Sequence, residues 1–310
     1  MVLTLFSSAY EYLEQSLQQA TISILKQGPI PRHVGFVLDG NRRFARAHGA
    51  TSTRFGHYEG FRQLEKVLET CMQLGVEAVT VYAFSIENFK RSKEEVDYLM
   101  QLFREAFSEL CEKNDVVKEY GIAVRFLGNI SLLPPDVAEI ALRTEERTRH
   151  NTKRIFNICC PYTSRDEIST AMRNSVKKVE QGQMRIRDIN EHVIEQNLFT
   201  AKSPPLDILV RTSGEIRLSD FLLWQSSKDC HIQFVKCYWP QFSLWRFLPV
   251  LLEYQMNYGD MMANRSEDHV PSPRRRRSGS DSSSSSDTLV GDDDINLLES
   301  LAIEESRQCS

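Results

Sequence analysis

Short apolar runs alternate with amphipathic helical stretches through most of the chain. Each apolar run ends in a polar or charged segment, a pattern typical of buried strands. Strands separated by helices need crossover connections, which favour a mostly parallel sheet with both faces covered. The pattern therefore predicts one α/β domain over residues 32–257, with a central sheet flanked by helices. The predicted strands are residues 34–38, 79–84, 122–127, 155–160 and 208–210, followed by a short strand at 232–235.

The helices between these strands are marked by apolar residues at helical spacing. The first is predicted over residues 58–74, with Gly75 as its C-cap. A second begins after Ser92, a typical N-cap, and carries a long apolar face. Such a face packs into a core or lines a cavity. Further helices are predicted after residue 134, near residue 164 and at 242–255.

Two segments of different character flank the domain. Residues 1–31 predict an amphipathic helix and a linker, and the apolar stripe of the helix suits either packing on the domain or lying on a membrane surface. The stripe consists of Leu13, Leu17, Ala20 and Ile24. Residues 258–310 contain separate runs of arginine, serine and aspartate, a composition that cannot bury enough apolar surface to fold. We expect a disordered tail there.

Composition narrows the class of protein only slightly. The chain has 310 residues, of which 41% are hydrophobic and 26% are charged, as in ordinary globular proteins. A net charge of −4 gives no sign of nucleic-acid binding. The seven cysteines form no C-x-x-C pair, which disfavours a zinc site, and no stretch reaches the roughly 20 apolar residues that span a bilayer.

Three of the predicted strands end in polar segments that together carry five arginines. These segments are residues 39–43 (DGNRR), 85–91 (SIENFKR) and 211–219 (RTSGEIRLS). In open parallel sheets, ligands bind beyond the carboxyl ends of the strands, so we expect the three segments to form one anion site. The set Arg211, Arg217 and Ser219 offers two guanidinium forks and a hydroxyl, which suit a diphosphate.

Asp39 is the candidate metal ligand of this site. Mg²⁺ in proteins takes one or two carboxylates together with phosphate oxygens and water, so a single aspartate among arginines fits a metal bridged to a diphosphate. Gly40 permits a close backbone approach, and Asn41 is predicted to cap the next helix and turn its N–H groups toward a phosphate. Each segment also has a plainer interpretation, as a capping turn or a surface loop with solvated ion pairs. His57 is either a phosphate donor or a structural histidine.

The same segments resemble the signatures of the cis-prenyltransferases. Residues 33–45 (HVGFVLDGNRRFA) resemble the opening signature of that family, and 82–92 (YAFSIENFKRS) and 208–225 (ILVRTSGEIRLSDFLLWQ) resemble two later ones in the same order. The Arg42-Arg43 pair and the sequence SIENFKRS of the second segment resemble those of the eukaryotic members of the family, in particular the fungal ones. The resemblance covers about residues 32–255 and implies an undecaprenyl diphosphate synthase-like fold.

The resemblance also implies a reaction and the residues that serve it. Isopentenyl diphosphate would be condensed onto farnesyl diphosphate to make a long polyprenyl diphosphate for dolichol. Asp39 would bind Mg²⁺, Asn88 would assist proton removal, and Arg91 would lie near the isopentenyl diphosphate. The allylic diphosphate would be held by Gly40, Asn41, Arg42, Arg43 and His57. The isopentenyl diphosphate would be held by Arg211, Arg217 and Ser219.

One departure from the family pattern concerns a partner. Members that act alone end in an Arg-x-Gly motif after the last helix, but residues 255–259 here read QMNYG. Residues 277–279 (RSG) fit the pattern formally, but they lie in the predicted disordered tail. The resemblance therefore implies a second, catalytically poor subunit like the Nogo-B receptor that supplies the motif, at the cytosolic face of the endoplasmic reticulum membrane. The alternative is that this chain is itself a non-catalytic scaffold subunit of such a complex. Nucleotide-binding loops of the G-x-G-x-x-G and P-loop kinds do not occur in the sequence.

Overall fold

A computed structural model describes residues 2–112 and 115–267, with side chains described from residue 12 and left out at 111–115, 264, 266 and 267. The strands are β1 (His33–Val37), β2 (Ala78–Tyr82), β3 (Ile122–Leu127), β4 (Arg154–Cys159), β5 (Ile208–Arg211) and β6 (His231–Phe234). The longer helices are α1 (Val2–Leu25), α3 (Arg54–Leu74), α4 (Lys93–Glu112), α6 (Pro135–Thr148), α7 (Ser164–Glu180) and α9 (Leu244–Glu267), and the shorter ones are α2 (Asn41–Ala47), α5 (Asp115–Glu119) and α8 (Glu191–Glu195).

The six strands form one sheet in the order β3-β4-β2-β1-β5-β6, and every pairing in it is parallel. The predicted α/β domain with a mostly parallel sheet is therefore confirmed. The central strands β1 and β2 are buried along almost their whole length, as expected for a sheet covered on both faces.

The register of the sheet decides where the polar segments meet. Val37 at the end of β1 pairs with Tyr82 at the end of β2 and with Arg211 at the end of β5. The chain leaves β1 toward β2 on one side, whereas it leaves β5 toward β6 on the other. Connections that diverge in this way open a crevice beyond the strand ends, between β1 and β5.

Several predicted boundaries differ from the structure. The helix predicted from residue 58 begins at Arg54, although it does end at Gly75, which has a φ of 99° as a left-handed C-cap. The last helix extends from the predicted domain boundary at 257 to Glu267. The extension is anchored by Arg265, which forms a 2.7 Å salt bridge with the buried Asp207. The rest of the predicted tail lies outside the described residues.

The N-terminal helix packs through residues that the predicted stripe does not contain. Ile22 and Leu25 are buried in the main core, near α3 and α9, and the Gln255 amide donates a 2.8 Å hydrogen bond to the Leu25 carbonyl. The stripe itself faces solvent: Leu13, Leu17 and Ile24 are 60%, 52% and 72% exposed. Among the side chains described from residue 12 onward, packing therefore uses the last turns of the helix, and the apolar stripe is left uncovered. Over residues 2–112 and 115–267, no helix is both long and apolar enough to cross a bilayer.

Candidate active site

The loops after β1, β2 and β5 surround one cavity of about 670 Å³, which adjoins a polar cleft of about 300 Å³. The proximity expected from the strand ends is therefore what the fold produces. The residues predicted for the site all line these two spaces: Asp39, Asn41, Arg42, His57, Asn88, Arg91, Arg211, Arg217 and Ser219 line the cavity, and Gly40 and Arg43 line the cleft.

Asp39 lies at the centre of the site and is held by cations from two loops. Its Oδ2 accepts a 2.8 Å hydrogen bond from the Arg211 guanidinium, and its Oδ1 lies 3.3 Å from the guanidinium of Arg43. The backbone N–H of Gly40 donates to the same Oδ1 at 2.6 Å. Burial alone would raise the pKa of Asp39, but the hydrogen bond and charge of Arg211, with the smaller effects of Gly40 and Arg43, hold the pKa below its ordinary value. The carboxylate is therefore ionised at neutral pH.

Gly40 is required by close packing at the start of α2. Its φ of 99° lies in the left-handed region, and an added Cβ would lie 2.7 Å from the Ser213 hydroxyl and 2.9 Å from the Tyr238 ring. Gly40 also occupies the N-cap position, so the prediction that Asn41 caps this helix is wrong. Asn41 packs instead against α3, where the site of a Cβ on Gly60 lies only 2.4 Å from its side-chain oxygen.

A second group of charges forms between α2, α3 and α4. The Glu95 carboxylate accepts a 2.9 Å bond from Arg91 and a 3.5 Å bond from Arg42, and it lies 3.7 Å from the His57 Nε2 atom, too far for a hydrogen bond. Burial lowers the pKa of His57 to about 4, against the opposing effect of Glu95. A neutral imidazole with an unpartnered buried Nε2 faces the cavity as a result.

The third segment is tied to the first by ion pairs. Arg211, whose side chain is only 4% exposed, also donates to the Ser219 hydroxyl at 2.7 Å and to the Arg217 carbonyl. Its fork is thus largely occupied by protein groups, whereas Arg217 is 65% exposed and pairs with Glu215. Glu215 also forms a 3.0 Å salt bridge with Arg43, which joins the two loops across the cleft.

The second segment forms a short 3₁₀ helix, Ile86–Lys90, rather than an irregular loop. The Asn88 side-chain oxygen accepts a 3.1 Å bond from the Ser85 N–H, and the Ser85 hydroxyl accepts one from the Glu87 N–H. This reciprocal capping fixes the Asn88 side chain at the wall of the cavity.

The cavity has a polar mouth and an apolar interior. Behind the charged groups it runs between α3 and α4, the two helices whose apolar faces the sequence predicts, and reaches the sheet. The hydrophobic residues that line it include Phe61, Leu64, Leu68, Val81, Leu99, Leu102, Phe103, Ala106, Phe107, Leu110, Phe156 and Ile158. Most of these side chains are part of the main core and also border the open space, so the two helix faces do both things that the sequence allows.

Two acidic residues of the site escape local sequence reasoning. Glu95 reads as a helix-start residue and Glu215 as one charge in a loop, yet each contacts two arginines that come from different segments or helices. The one sequence signal for these contacts is the position of Glu95 four residues after Arg91, a spacing at which opposite charges can pair. Among the described residues, no group of three or more histidine, cysteine, aspartate or glutamate side chains is arranged to hold a metal.

Comparisons with known proteins show the family of the chain. A profile of a prenyltransferase family, described as putative undecaprenyl diphosphate synthase, matches residues 37–260. A dehydrodolichyl diphosphate synthase complex subunit of Schizosaccharomyces pombe is 48% identical over 240 residues, which cover 77% of this chain and 90% of that one. The subunit of the same description from Homo sapiens is 44% identical over 254 residues, or 82% of this chain and 75% of that one.

The fold is also similar to solved structures. The crystal structure of lavandulyl diphosphate synthase from Lavandula x intermedia, in complex with dimethylallyl diphosphate, superposes with a TM-score of 0.66 at 31% identity. The match covers 73% of this chain and 95% of that one.

Proposed function

Because the chain belongs to the prenyltransferase family of undecaprenyl diphosphate synthases, we propose that it is the catalytic subunit of a dehydrodolichyl diphosphate synthase. It extends farnesyl diphosphate with isopentenyl diphosphate, one cis double bond at a time, and so makes the polyprenyl diphosphate for dolichol. The observation that carries the proposal is the joining of an arginine-rich mouth, centred on Asp39, to an apolar cavity between α3 and α4. The two parts match a diphosphate head and a hydrocarbon chain.

The allylic diphosphate is assigned to the side of the mouth built by α2 and α3. Arg42 and Arg43 supply charge there, the backbone at Gly40 and Asn41 supplies close approach, and His57 supplies a neutral donor. Glu95 pairs with Arg42 in the structure, and a bound diphosphate would exchange that contact for its own. The hydrocarbon chain of the substrate would then extend into the apolar cavity.

Mg²⁺ is assigned to Asp39. The carboxylate fits this role because it is ionised and 29% exposed, and because a lone carboxylate suffices when phosphate oxygens complete the coordination shell. When bound, the metal would neutralise negative charge on the allylic diphosphate and so assist its departure. Arg211 and Arg43 would have to release part of their hold on the carboxylate to admit it.

The isopentenyl diphosphate is assigned to the loop after β5. Arg217 is the exposed guanidinium of this loop, Ser219 presents a hydroxyl, and the buried Arg211 orients both through its hydrogen bonds. Arg91 lines the same cavity. The two diphosphates would thus lie on either side of Asp39.

The reaction consists of one bond broken, one bond formed and one proton lost. The allylic C–O bond breaks with its electron pair leaving on the diphosphate, the isopentenyl double bond attacks the allylic carbon, and a proton leaves the isopentenyl unit as the new double bond forms. The guanidinium groups stabilise charge on the departing diphosphate, while the two subsites hold the reacting carbons together. Asn88 lines the cavity and is assigned to orient the proton transfer, with the departing diphosphate as the acceptor.

A partner subunit is part of the proposal. The two eukaryotic relatives are described as complex subunits, and residues 255–259 of this chain read QMNYG where the motif is expected. The Arg-x-Gly at residues 277–279 lies in the predicted disordered tail. A Nogo-B receptor-like subunit would supply that arginine and glycine to the isopentenyl site. We expect little turnover from the chain alone and a large gain when the partner is added.

The proposed location is the cytosolic face of the endoplasmic reticulum membrane, with the stripe of α1 as the contact. Leu13, Leu17 and Ile24 are exposed in a row, which suits insertion into a headgroup layer. Replacing these three by serine should abolish flotation with phosphatidylcholine–phosphatidylserine vesicles. The matched control replaces Met172 and Val176, which are 50% and 49% exposed on α7. Equal flotation of all the proteins would remove α1 as the contact.

The function is tested by incubating the full chain with labelled isopentenyl diphosphate, farnesyl diphosphate and Mg²⁺, with and without the accessory subunit. Chromatographic sizing of the product gives activity and chain length together. The alternative, a scaffold role, predicts that activity depends on another chain's catalytic site and survives Asp39→Asn in this one. A pure scaffold has no use for the charged mouth described above.

A further inference from the structure

The loop between β5 and β6 holds several residues in an unfavourable backbone conformation. Ser219, Asp220 and Leu222 have φ angles of 50°, 62° and 45°, in the left-handed region that non-glycine residues rarely adopt. Two such residues in succession, followed closely by a leucine, are stable only where the surroundings enforce the conformation. The contacts that enforce it come from the start of α7 and from the end of β2.

The start of α7 grips this loop at Asp220. The Ser164 N–H donates to the Asp220 carbonyl at 2.8 Å, and the Arg165 N–H donates to the Asp220 Oδ1 atom at 3.1 Å. The Arg165 guanidinium donates to the other carboxylate oxygen at 2.8 Å. Main chain and side chain of Asp220 are thus both fixed, and its side chain is 13% exposed although that of Arg165 is 76% exposed.

A second set of contacts holds the residues on either side. The Tyr82 hydroxyl, at the end of β2, donates to the Ser219 carbonyl at 3.3 Å, and its ring stacks on Phe221 at 4.6 Å. Phe221 and Leu222 are completely buried. The Leu223 N–H donates to the Ser164 hydroxyl at 2.8 Å. The loop is therefore clamped between β2 and α7.

The clamp lies next to the groups assigned to isopentenyl diphosphate. Ser219 directly precedes Asp220, and its hydroxyl accepts from the Arg211 guanidinium at 2.7 Å. The same nitrogen of Arg211 donates to the Arg217 carbonyl. A rotation of the backbone at residues 219 and 220 would move the Ser219 hydroxyl and the Arg217 carbonyl away from Arg211.

We propose that Asp220 is a positioning residue for the isopentenyl diphosphate subsite: its carboxylate, held by Arg165, keeps Ser219 in the left-handed conformation that aims its hydroxyl into the cavity. The inference rests on the function proposed above. Asp220 acts through Ser219 and Arg217, and Arg165 acts through Asp220. Neither residue belongs to the set that the sequence identified.

The kinetic test uses the full chain co-expressed with the accessory subunit. Asp220→Ala should raise the KM for isopentenyl diphosphate about tenfold, while the KM for farnesyl diphosphate and kcat change less than twofold. Asp220→Asn keeps an acceptor for the Arg165 N–H and tolerates positive φ, so it should restore most of the loss. Asp220→Gly adopts positive φ freely but has no carboxylate. It should therefore behave like Asp220→Ala, and wild-type kinetics in the glycine variant would overturn the proposal.

A double-mutant cycle separates positioning from direct binding by Arg165, which also lines the cavity. If Arg165 acts through Asp220, then Arg165→Ala with Asp220→Ala should be no worse than Asp220→Ala alone. Independent, multiplying effects of the two changes would show that Arg165 contacts substrate directly. The matched control is Asp136→Ala, which breaks a 2.5 Å pair with Arg104 on the surface between α4 and α6 and should leave both KM values unchanged.

A measurement without substrate tests the clamp independently of the reaction. Hydrogen exchange of peptides covering residues 216–226 should be at least tenfold faster in Asp220→Ala and Arg165→Ala, and unchanged in Asp136→Ala. If exchange stays at the wild-type rate in both Asp220→Ala and Arg165→Ala, the clamp is refuted, whatever the activity. An inactive wild-type enzyme with faster exchange in the variants would refute the proposed function and leave the clamp standing.

Discussion

Replacing Asp39 by asparagine should remove turnover while leaving the protein folded. The change keeps the size of the side chain and one acceptor oxygen, but it removes the charge that Arg211 and Arg43 face and the only carboxylate assigned to Mg²⁺. Loss of one group that stabilises developing charge typically lowers kcat by about 100-fold or more, equivalent to about 2.7 kcal/mol of transition-state stabilisation. We therefore expect kcat/KM to fall at least that far.

Asp39→Asn should lower the free energy of unfolding by much less than its total value. A hydrogen bond to a charged group contributes about 1.5–3 kcal/mol, and this carboxylate is partly exposed and keeps one acceptor as asparagine. We expect a loss of about 1–2 kcal/mol, against about 5–15 kcal/mol for a typical domain. For a domain of this size, that loss lowers Tm by about 2–8 °C. Asp39→Ala should cost more, since it leaves the buried Arg211 without an acceptor at that position.

The assay combines two measurements on the same preparations. Incorporation of labelled isopentenyl diphosphate at varied Mg²⁺ measures activity, and urea unfolding at pH 7 measures stability. The control is Asp136→Asn, at a carboxylate that is 55% exposed and paired with Arg104. Turnover by Asp39→Asn within twofold of the wild type, at any Mg²⁺ concentration, would refute the metal role of Asp39. An unfolded Asp39→Asn would refute the stability estimate instead.

Three further predictions concern the second subsite, the cavity and pH. Arg211→Lys keeps a cation beside Asp39 but loses the fork, so the KM for isopentenyl diphosphate should rise about tenfold; a defect confined to farnesyl diphosphate would mean that the two subsites are reversed. Ala106→Phe fills part of the cavity wall and should shorten the products on chromatography, whereas unchanged lengths would place the growing chain elsewhere. Burial lowers the pKa of His33 from 6.5 to about 4, so its stabilising contribution is complete above pH 6.5 and is lost as the pH falls toward 4, by about 2 kcal/mol between pH 7 and 5. His33→Gln should reduce the difference in unfolding free energy between those two pH values by that amount, and an unchanged difference would contradict the shift.

Local patterns were sufficient for the fold class and for the parts of the site that lie in the loop segments. Each buried strand is apolar because both faces of a parallel sheet are covered, and each polar segment begins where its strand ends. The C-terminus of α3 at Gly75 follows from the backbone conformation of that glycine, and the start of α4 after Ser92 follows from capping. These features depend on neighbours in sequence, so a single chain contains the information to predict them.

Other features depended on residues distant in sequence. The pairing of Glu215 with Arg43 and of Glu95 with Arg42 joins segments that only the fold brings together. The contact of the Arg211 guanidinium with Asp39 likewise follows from the register of β5 against β1. The residue type of Asn41 favours the N-cap position of α2, but in the structure Gly40 occupies that position and Asn41 packs against α3.

By itself, the sequence determined an α/β domain with three arginine-bearing loops after its strands, because hydrophobic periodicity and side-chain chemistry act over a few residues. Only the tertiary structure decided which carboxylate faces which arginine, which face of α1 stays uncovered, and how the loop after β5 is held in a left-handed conformation by α7. Those outcomes depend on the register of β1 against β2 and β5 and on helix packing. Both arise from contacts between residues far apart in the chain, which no local pattern encodes.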